Sequence, residues 1–408
     1  MIYNKKALPE DWILGDLIDF CIKSNRAIVD GPFGSNLKTE HFKKQGIPVI
    51  NSSFVTELTF NAGNYVYVDE ELFQREIRSK VVPGDIVMAK IGARCGSSAI
   101  LPQNHPISIL SGNSIKISID ENENSKEFVW CLLVNEYLKN QFKDCKSIGA
   151  QPAISTPHLK KLKFPKPPLP EQRAIAQVLS TADAAIHTTE KLIAQKELRK
   201  KWLMQQLLMG KKRMRGVEGE WKKLGAGDVF TSVTKKGFAD EELLSATQDR
   251  GMIPRTMLEG RVTMPTTGTE GFKLVEVGDF VISLRSFQGG LEYSYYRGLV
   301  SPAYTVLKPK KPINEEFYKQ YFKSTDFIGH LAIAVIGIRD GKQISYDDFC
   351  TVKIPYPPIQ EQTAIARVLQ VADKEISLLK AKAEKLRELK KGLMQVLLTG
   401  KKRLEFQK

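Results

Sequence analysis

The chain has 408 residues and a net charge of +15, from 61 lysines and arginines against 46 aspartates and glutamates. At about 100–200 residues per domain, this length predicts two or three domains. The positive charge favours a polyanionic partner such as nucleic acid. The sequence contains no run of about 18 apolar residues and no signal peptide at its start. We therefore expect a cytoplasmic protein with no membrane partner.

The first half, residues 1–163, predicts an α+β module. Short apolar runs at 47–50, 65–68 and 85–88 are typical of strands, and 128–141 has the pattern of a helix. A proline-rich stretch follows, and prolines favour extended backbone. Beyond it, about 40 residues carry helical signals, with a carboxylate in the first turn (Glu171) and a C-cap glycine (Gly210).

The second half, residues 215–353, predicts a module of the same class. Strands are expected at 280–284 and 303–307, and a helix at 317–333. A second proline-rich stretch and a second long helix then complete the chain. The expected domains are two globular regions, 1–163 and 215–353, and two helical segments, 164–214 and 354–408.

The helical segments are copies of one another. PPLPEQRAIA at 167–176 corresponds to PPIQEQTAIA at 357–366, and LMQQLLMGKK at 203–212 corresponds to LMQVLLTGKK at 393–402. At this constant offset of 190, 24 of the 50 positions from 165 to 214 are identical. Trp12 and Trp221 each open a half, so the chain is a tandem duplication of a whole module.

Apolar residues in both helices recur at the a and d spacing of a coiled coil. Each predicted helix is about 60 Å long at 1.5 Å per residue, and a helix of that length needs a partner. The simplest partner is the other helix, in an antiparallel pair with approximate two-fold symmetry. The alternative is two independent amphipathic helices, each packed on its own domain. The predicted seam residues are Ile175, Leu179, Ala182, Ile186, Ile193, Leu203, Leu207, Ile365, Leu369, Ala372, Ile376, Leu379, Leu386 and Leu393.

Basic and amide side chains cluster in the predicted loops of both halves. Arginine, lysine, asparagine and glutamine are the side chains that reach base edges and phosphates. Taken singly, each such residue is more often a solvated surface residue than a DNA contact, because the reading of DNA depends on docking geometry. The candidate DNA-binding residues are Ser35, Asn36, Lys38, Lys90, Arg94, Gln151, Gln248, Arg250, Arg255, Arg285, Gln288, Arg339, Lys342 and Gln343.

The sequence predicts no catalytic residue, no metal site and no bound cofactor. The two Pro-Pro pairs suggest an amino-methyltransferase motif, but Lys166 and Tyr356 stand where that motif needs an amide or carboxylate. We find no glycine-rich S-adenosylmethionine loop and no phosphate loop. The five cysteines form no Cys-x-x-Cys pair and the five histidines lack metal-ligand spacing.

The duplicated motifs resemble those of type I restriction–modification specificity subunits. The resemblance rests on 167–176, 357–366, 203–212 and the segment DGPFGSN at 30–36, which has no counterpart in the second half. It implies two target recognition domains of α/β type separated by two long helices that form an antiparallel coiled coil.

The resemblance also implies a function. Each recognition domain would read one half of a bipartite, asymmetric site in double-stranded DNA, and the helices would set the unread spacer. Two methyltransferase subunits would dock and supply the S-adenosylmethionine chemistry, and restriction–translocase subunits would join for cleavage. Three alternatives stay open from the residues alone: a sequence-tolerant nucleic-acid clamp, a hub that binds only proteins, and an enzyme.

Overall fold

A computed structural model describes residues 8–56, 58–61, 63–139, 142, 152–258, 268–334 and 344–404. The chain divides into two compact units. The first unit comprises Met1–Thr188 and Lys382–Lys408, and the second comprises Thr189–Ala381. Each unit thus combines one globular region with the beginning of one long helix and the end of the other. The linear boundaries at 163, 214 and 353 stay predictions of the sequence.

The first unit contains two four-stranded sheets. Its strands are β1 Ile13–Asp16, β2 Ile28–Asp30, β3 Ile47–Ile50, β4 Val55–Thr56, β5 Thr59–Phe60, β6 Tyr67–Val68, β7 Lys80–Val81, β8 Ile86–Ala89, β9 Ser98–Ile100, β10 Ser108–Leu110, β11 Ser114–Ile117 and β12 Lys163–Lys166. Its helices are α1 Glu70–Arg75, α2 Lys126–Leu138 and α3 Thr156–Lys160, followed by the first long helix, α4 Leu169–Leu207. The sheet orders are β2-β11-β8-β9 and β6-β3-β10-β7.

The second unit follows a related plan. Its strands are β13 Lys222–Gly225, β14 Phe230–Val233, β15 Leu244–Thr247, β16 Gly251–Pro254, β17 Lys273–Val275, β18 Phe280–Ile282, β19 Glu292–Tyr293, β20 Gly298–Val300, β21 Thr305–Pro309 and β22 Lys353–Tyr356. Its helices are α5 Ala226–Val229, α6 Ser286–Gly289, α7 Glu315–Phe322, α8 Thr325–Ala334 and α9 Tyr346–Thr351, followed by the second long helix, α10 Ile359–Leu397. The four-stranded sheet has the order β14-β21-β18-β19.

The tandem duplication is visible in the sheets. The order β2-β11-β8-β9 in the first unit matches β14-β21-β18-β19 in the second. The same turn precedes β8 and β18: the Asp85 carboxylate accepts the Val82 amide at 2.8 Å, and the Asp279 carboxylate accepts the Glu276 amide at 2.8 Å. Both turns place a glycine at positive φ immediately before the aspartate, 90° at Gly84 and 95° at Gly278. The two globular regions therefore share this sheet order and this turn.

The proline-rich stretches form strands that anchor each long helix to its unit. β1 pairs antiparallel with β12, and β13 pairs antiparallel with β22. Prolines are tolerated in these two-stranded ladders because each strand has one free edge. In the first unit, Ile175 and Leu179 of α4 are buried in the same core as Leu397 of α10. In the second unit, Ile365 of α10 shares a core with Leu207 of α4.

The helix expected at 317–333 is two helices, α7 and α8. The break lies at Lys323–Ser324, where the Ser324 hydroxyl accepts the Phe327 amide at 3.2 Å and starts the second helix. Serine favours such a capping position over a helix interior because its hydroxyl competes for backbone groups. Among the described residues, the helices are all too short or too polar to cross a membrane.

Candidate nucleic-acid interface and helix pair

The two long helices run antiparallel within each unit. In the first unit, Lys390 Nζ lies 2.5 Å from Asp183 Oδ1. In the second unit, Lys200 Nζ lies 2.6 Å from Asp373 Oδ1. These ion pairs are equivalent under the offset of 190, since each joins the same lysine and aspartate of the repeat. The same lysine and aspartate of the repeat therefore join the two helices in each unit.

The predicted seam residues lie on the inward faces of the helices. Ile175, Leu179, Leu207, Ile365, Leu369 and Ile376 are buried. The others, Ala182, Ile186, Ile193, Leu203, Ala372, Leu379, Leu386 and Leu393, are half-buried. Thr189, which interrupts the apolar pattern in the middle of α4, is only 6% exposed. The seam thus continues through a position that the heptad pattern alone marks as weak.

A buried glutamate at the start of each long helix accepts hydrogen bonds from a tryptophan near the start of the globular region and from an arginine that follows the other long helix. Glu171 of α4 accepts a hydrogen bond from the Trp12 indole at 3.0 Å and from Arg403, which follows α10, at 2.6 Å. Arg403 also forms a two-point pair with Asp11, with both distances 2.8 Å. We call Trp12, Glu171 and Arg403 the first Trp–Glu–Arg cluster.

The second unit contains the equivalent cluster of Trp221, Glu361 and Arg213. The Glu361 carboxylate accepts the Trp221 indole at 2.7 Å, Arg213 Nε at 2.9 Å and the Met214 amide at 3.0 Å. Burial alone would raise the pKa of Glu361, but these three donors outweigh it and hold that pKa below its ordinary value. The carboxylate is therefore ionised and accepts hydrogen bonds from all three donors.

Among the DNA-binding candidates of the first unit, Ser35 and Asn36 belong to the segment at 30–36 and Lys90 contacts it. Lys90, directly after β8, forms an ion pair with Asp30 and lies 4.2 Å from the centroid of the Phe33 ring. Asn36 and Arg94 are exposed, and Lys38 lies 3.5 Å from Glu40. The structure describes the backbone of Ser35, in a 3-10 turn at Gly34–Asn36. Lys90 is thus held in place by the segment that the resemblance singled out.

Four DNA-binding candidates of the second unit lie on two neighbouring elements, the β15–β16 turn and α6. Gln248 and Arg250 are exposed on the turn joining β15 and β16, while Arg285 and Gln288 are exposed at α6. A Cβ atom on Gly289 would lie only 2.9 Å from the Gln248 side-chain nitrogen, so the turn packs directly against α6. Exposed arginine and amide side chains on neighbouring loops suit base-edge contacts.

An ion pair between half-buried Lys323 and buried Glu292 supports α6. Lys323 Nζ donates to the Gly289 carbonyl at 3.0 Å and to Glu292 Oε1 at 2.7 Å, which fixes α6. Burial raises the pKa of Glu292, and Lys323 opposes that shift. Arg255 is half-buried at the 3-10 turn Arg255–Met257. The candidates Gln151, Arg339, Lys342 and Gln343 lie outside the described residues.

Each unit has a cleft between its globular region and the helix pair. The first, of about 480 Å³, lies beside the end of α2, and the second, of about 440 Å³, lies beside Lys323 to Asp326. Lys391, Met394 and Gln395 line the first cleft, and the equivalent Lys201, Met204 and Gln205 line the second. The same three residue types therefore line both clefts.

Several of these residues could not be assigned a role from the sequence alone. The charged residues of the two Trp–Glu–Arg clusters and of the Lys–Asp pairs are not apolar, so the heptad pattern does not select them. The signal that identifies them is their identity at an offset of 190, because charged positions kept in both copies need a shared structural reason. Within the described residues, no group of three or more His, Cys, Asp or Glu side chains could hold a metal ion.

Each unit combines an α+β region with paired segments of the two long helices, so the chain is a duplicated α+β protein. The model of the type I restriction modification DNA specificity domain matches residues 9–197 and again 218–388. The chain belongs to this family, and its role is that of a DNA-recognition subunit.

Related proteins support this assignment. The chain is 26% identical, over 98% of its length and 95% of the relative, to a protein of Methanocaldococcus jannaschii assigned as the type I restriction enzyme MjaX specificity subunit. Its fold is similar to that of the type I restriction–modification S subunit of M. genitalium, with a TM-score of 0.56 and 15% identity over 96% of this chain and 98% of the other. A chain from a structural study of type I R-M complex assembly and conformational transition gives a TM-score of 0.59 and 16% identity, over 96% and 99% of the two chains.

Proposed function

We propose that the chain reads a bipartite, asymmetric site in double-stranded DNA, with one half-site contacted by each unit. The observation that carries this proposal is that each unit has its own exposed basic loops on an equivalent sheet, with different residues in the two copies. Counted from the matching Asp85 and Asp279, Arg94 after β8 corresponds to Gln288 after the equivalent β18. Different side chains at equivalent positions favour different base sequences.

Substituting one arginine in each unit tests this division of labour. Arg285→Ala is expected to relax the sequence requirement at one or two base pairs of one half-site, at a cost of about 1–3 kcal/mol in discrimination. Arg94→Ala is the matched variant and is expected to relax only the other half-site. The measurement is methylation mapping of hosts that express each variant with the methyltransferase of the same system.

Each variant serves as the control for the other, because the same guanidinium is removed from a different unit. A variant that changes both half-sites, or two variants that change the same half-site, would contradict the proposal. A uniform loss of methylation with an unchanged motif would assign these arginines to DNA backbone contacts instead.

We further propose that the paired helices set the spacer and that two methyltransferase subunits dock on this chain. The two clefts with equivalent lysine, methionine and glutamine side chains support two copies of one partner, because the same surface is presented twice. Restriction–translocase subunits would join this complex for cleavage in the cytoplasm, where the DNA is.

The chain would contribute no catalytic group, and S-adenosylmethionine would bind the methyltransferase subunits. The positions nearest to an amino-methyltransferase motif support this view. Lys166 Nζ donates to the Asp19 carbonyl at 3.0 Å, and the Tyr356 hydroxyl donates to the Pro312 carbonyl at 2.9 Å. Both side chains thus fix the strands that lead into the long helices, a structural use of these residues.

A further inference from the structure

An open cleft of about 530 Å³ lies in the first unit, beside β2 and α3. Three cationic side chains from three separate elements line it: Arg78, Lys90 and Lys160. Arg78 lies in the 3-10 turn before β7, Lys90 follows β8, and Lys160 ends α3. Positive charge has therefore been brought together by the fold from positions far apart in the sequence.

The charges in this cleft are only partly balanced. Asp30 forms an ion pair with Lys90, whose side chain is only 15% exposed. Arg78 is 47% exposed and lies 3.9 Å from both Asp30 and Glu76, which is longer than a hydrogen bond. Lys160 is half-buried at the far end of the cleft. The two carboxylates thus orient the guanidinium and leave its donors free for an anionic ligand.

The cleft is continuous with the predicted DNA-binding loops. The Ile154 amide donates to the Lys90 carbonyl at 2.9 Å, and Ile91 forms a bridge with Ala153. Lys90 and Asp30 therefore belong both to the cleft and to the contact between Lys90 and the segment at 30–36. A DNA strand lying on those loops would pass beside Arg78 and Lys160.

We propose that this cleft binds a phosphate of the DNA backbone, with Arg78 and Lys160 as the contacting cations. The inference rests on the proposed DNA-reading function and extends it to two residues that the sequence did not identify. Arg78 donates from a fork of N–H groups that suits phosphate oxygens, and Lys160 adds a point charge. Contacts of this kind position a protein on DNA without reading its bases.

Salt-dependent binding of the full-length chain, assembled with its methyltransferase subunits, tests the proposal. The probes are one duplex with the methylated motif and one with that motif scrambled. Arg78→Gln and Lys160→Gln keep most of the side-chain length. Lys161→Gln is the matched control, because Lys161 is an exposed neighbour that does not line the cleft.

Each cleft variant is expected to reduce the slope of log affinity against log salt by about 0.9, the value for one phosphate contact. Affinity for both duplexes should fall by the same factor, about threefold to tenfold near 0.1 M salt, so that their ratio is unchanged. Slopes equal to that of Lys161→Gln would overturn the phosphate site. Equal binding of both duplexes by the unsubstituted complex would instead overturn the proposed sequence reading, so the two failures are distinguishable.

Discussion

Glu361→Ala is expected to lower the free energy of unfolding of the second unit by about 2–4 kcal/mol. The fully buried carboxylate accepts hydrogen bonds from Trp221, Arg213 and the Met214 amide. Its removal leaves the half-buried Trp221 indole and the Met214 amide without this acceptor, at a cost of about 1–3 kcal/mol for each such group. Arg213 is 40% exposed and would find water, so it adds little to the total.

Calorimetry of the full-length chain measures this effect, with an expected decrease in Tm of about 5–12 °C for the second unit. Glu171→Ala should act equivalently on the first unit. Glu388→Ala, at an exposed position of α10, is the neutral control. An effect of Glu361→Ala within about 0.5 kcal/mol of that control would show that the cluster does not stabilise the unit.

The same carboxylate predicts a pH dependence. Because the folded pKa of Glu361 lies below its ordinary value of 4.5, its contribution is fully present above that pH. The contribution is lost as the pH falls below 4.5 and through the lowered folded pKa. The stability difference between the unsubstituted chain and Glu361→Ala should therefore shrink in this acidic range and stay constant near neutrality.

Inserting four residues into α10 next to Glu384 is expected to lengthen the DNA spacer by one to two base pairs. Four helical residues add about 6 Å, which is less than two full base-pair steps of about 3.4 Å. A coiled coil accommodates a four-residue insertion by unwinding locally. Glu384 is exposed but its neighbour Ala383 is buried, so the insertion shifts the helix register locally as it adds length.

Methylation mapping of the insertion variant measures the spacer. The matched control is a four-residue insertion after Lys236, in the exposed loop between β14 and β15, which adds the same number of residues but no length to the helix pair. An unchanged spacer in a variant that still supports DNA methylation would contradict the proposal that the length of the helix pair sets the spacer. A changed spacer in the loop control would contradict it equally.

The architecture could be predicted from the sequence because it depends on apolar residues that recur at regular spacing. The duplicated segments identified α4 and α10, and their heptads identified the antiparallel seam that includes Leu179 and Leu369. The DNA-recognition role followed from the resemblance, and the family match confirms it, while the structural similarity confirms the fold. The Val-Ile-rich runs likewise located β3, β8 and β18.

The residues that form each site could not be predicted in the same way. Glu171 contacts Arg403 across 232 positions of sequence, and no local pattern links two residues so far apart. Arg78 and Lys160 come together because α3 and the 3-10 turn Ile77–Ser79 both pack against β2. The break between α7 and α8 was missed because apolar periodicity continues through it, while a single hydroxyl at Ser324 determines where the second helix starts.

Methylome sequencing of a host that expresses this chain, with and without the methyltransferase of the same system, tests the central claim most directly. The account predicts one new methylated motif that has two different half-sites, separated by a spacer of fixed length, and that requires both proteins. A methylated motif that is the same with and without this chain, or a motif with two identical half-sites, would contradict it.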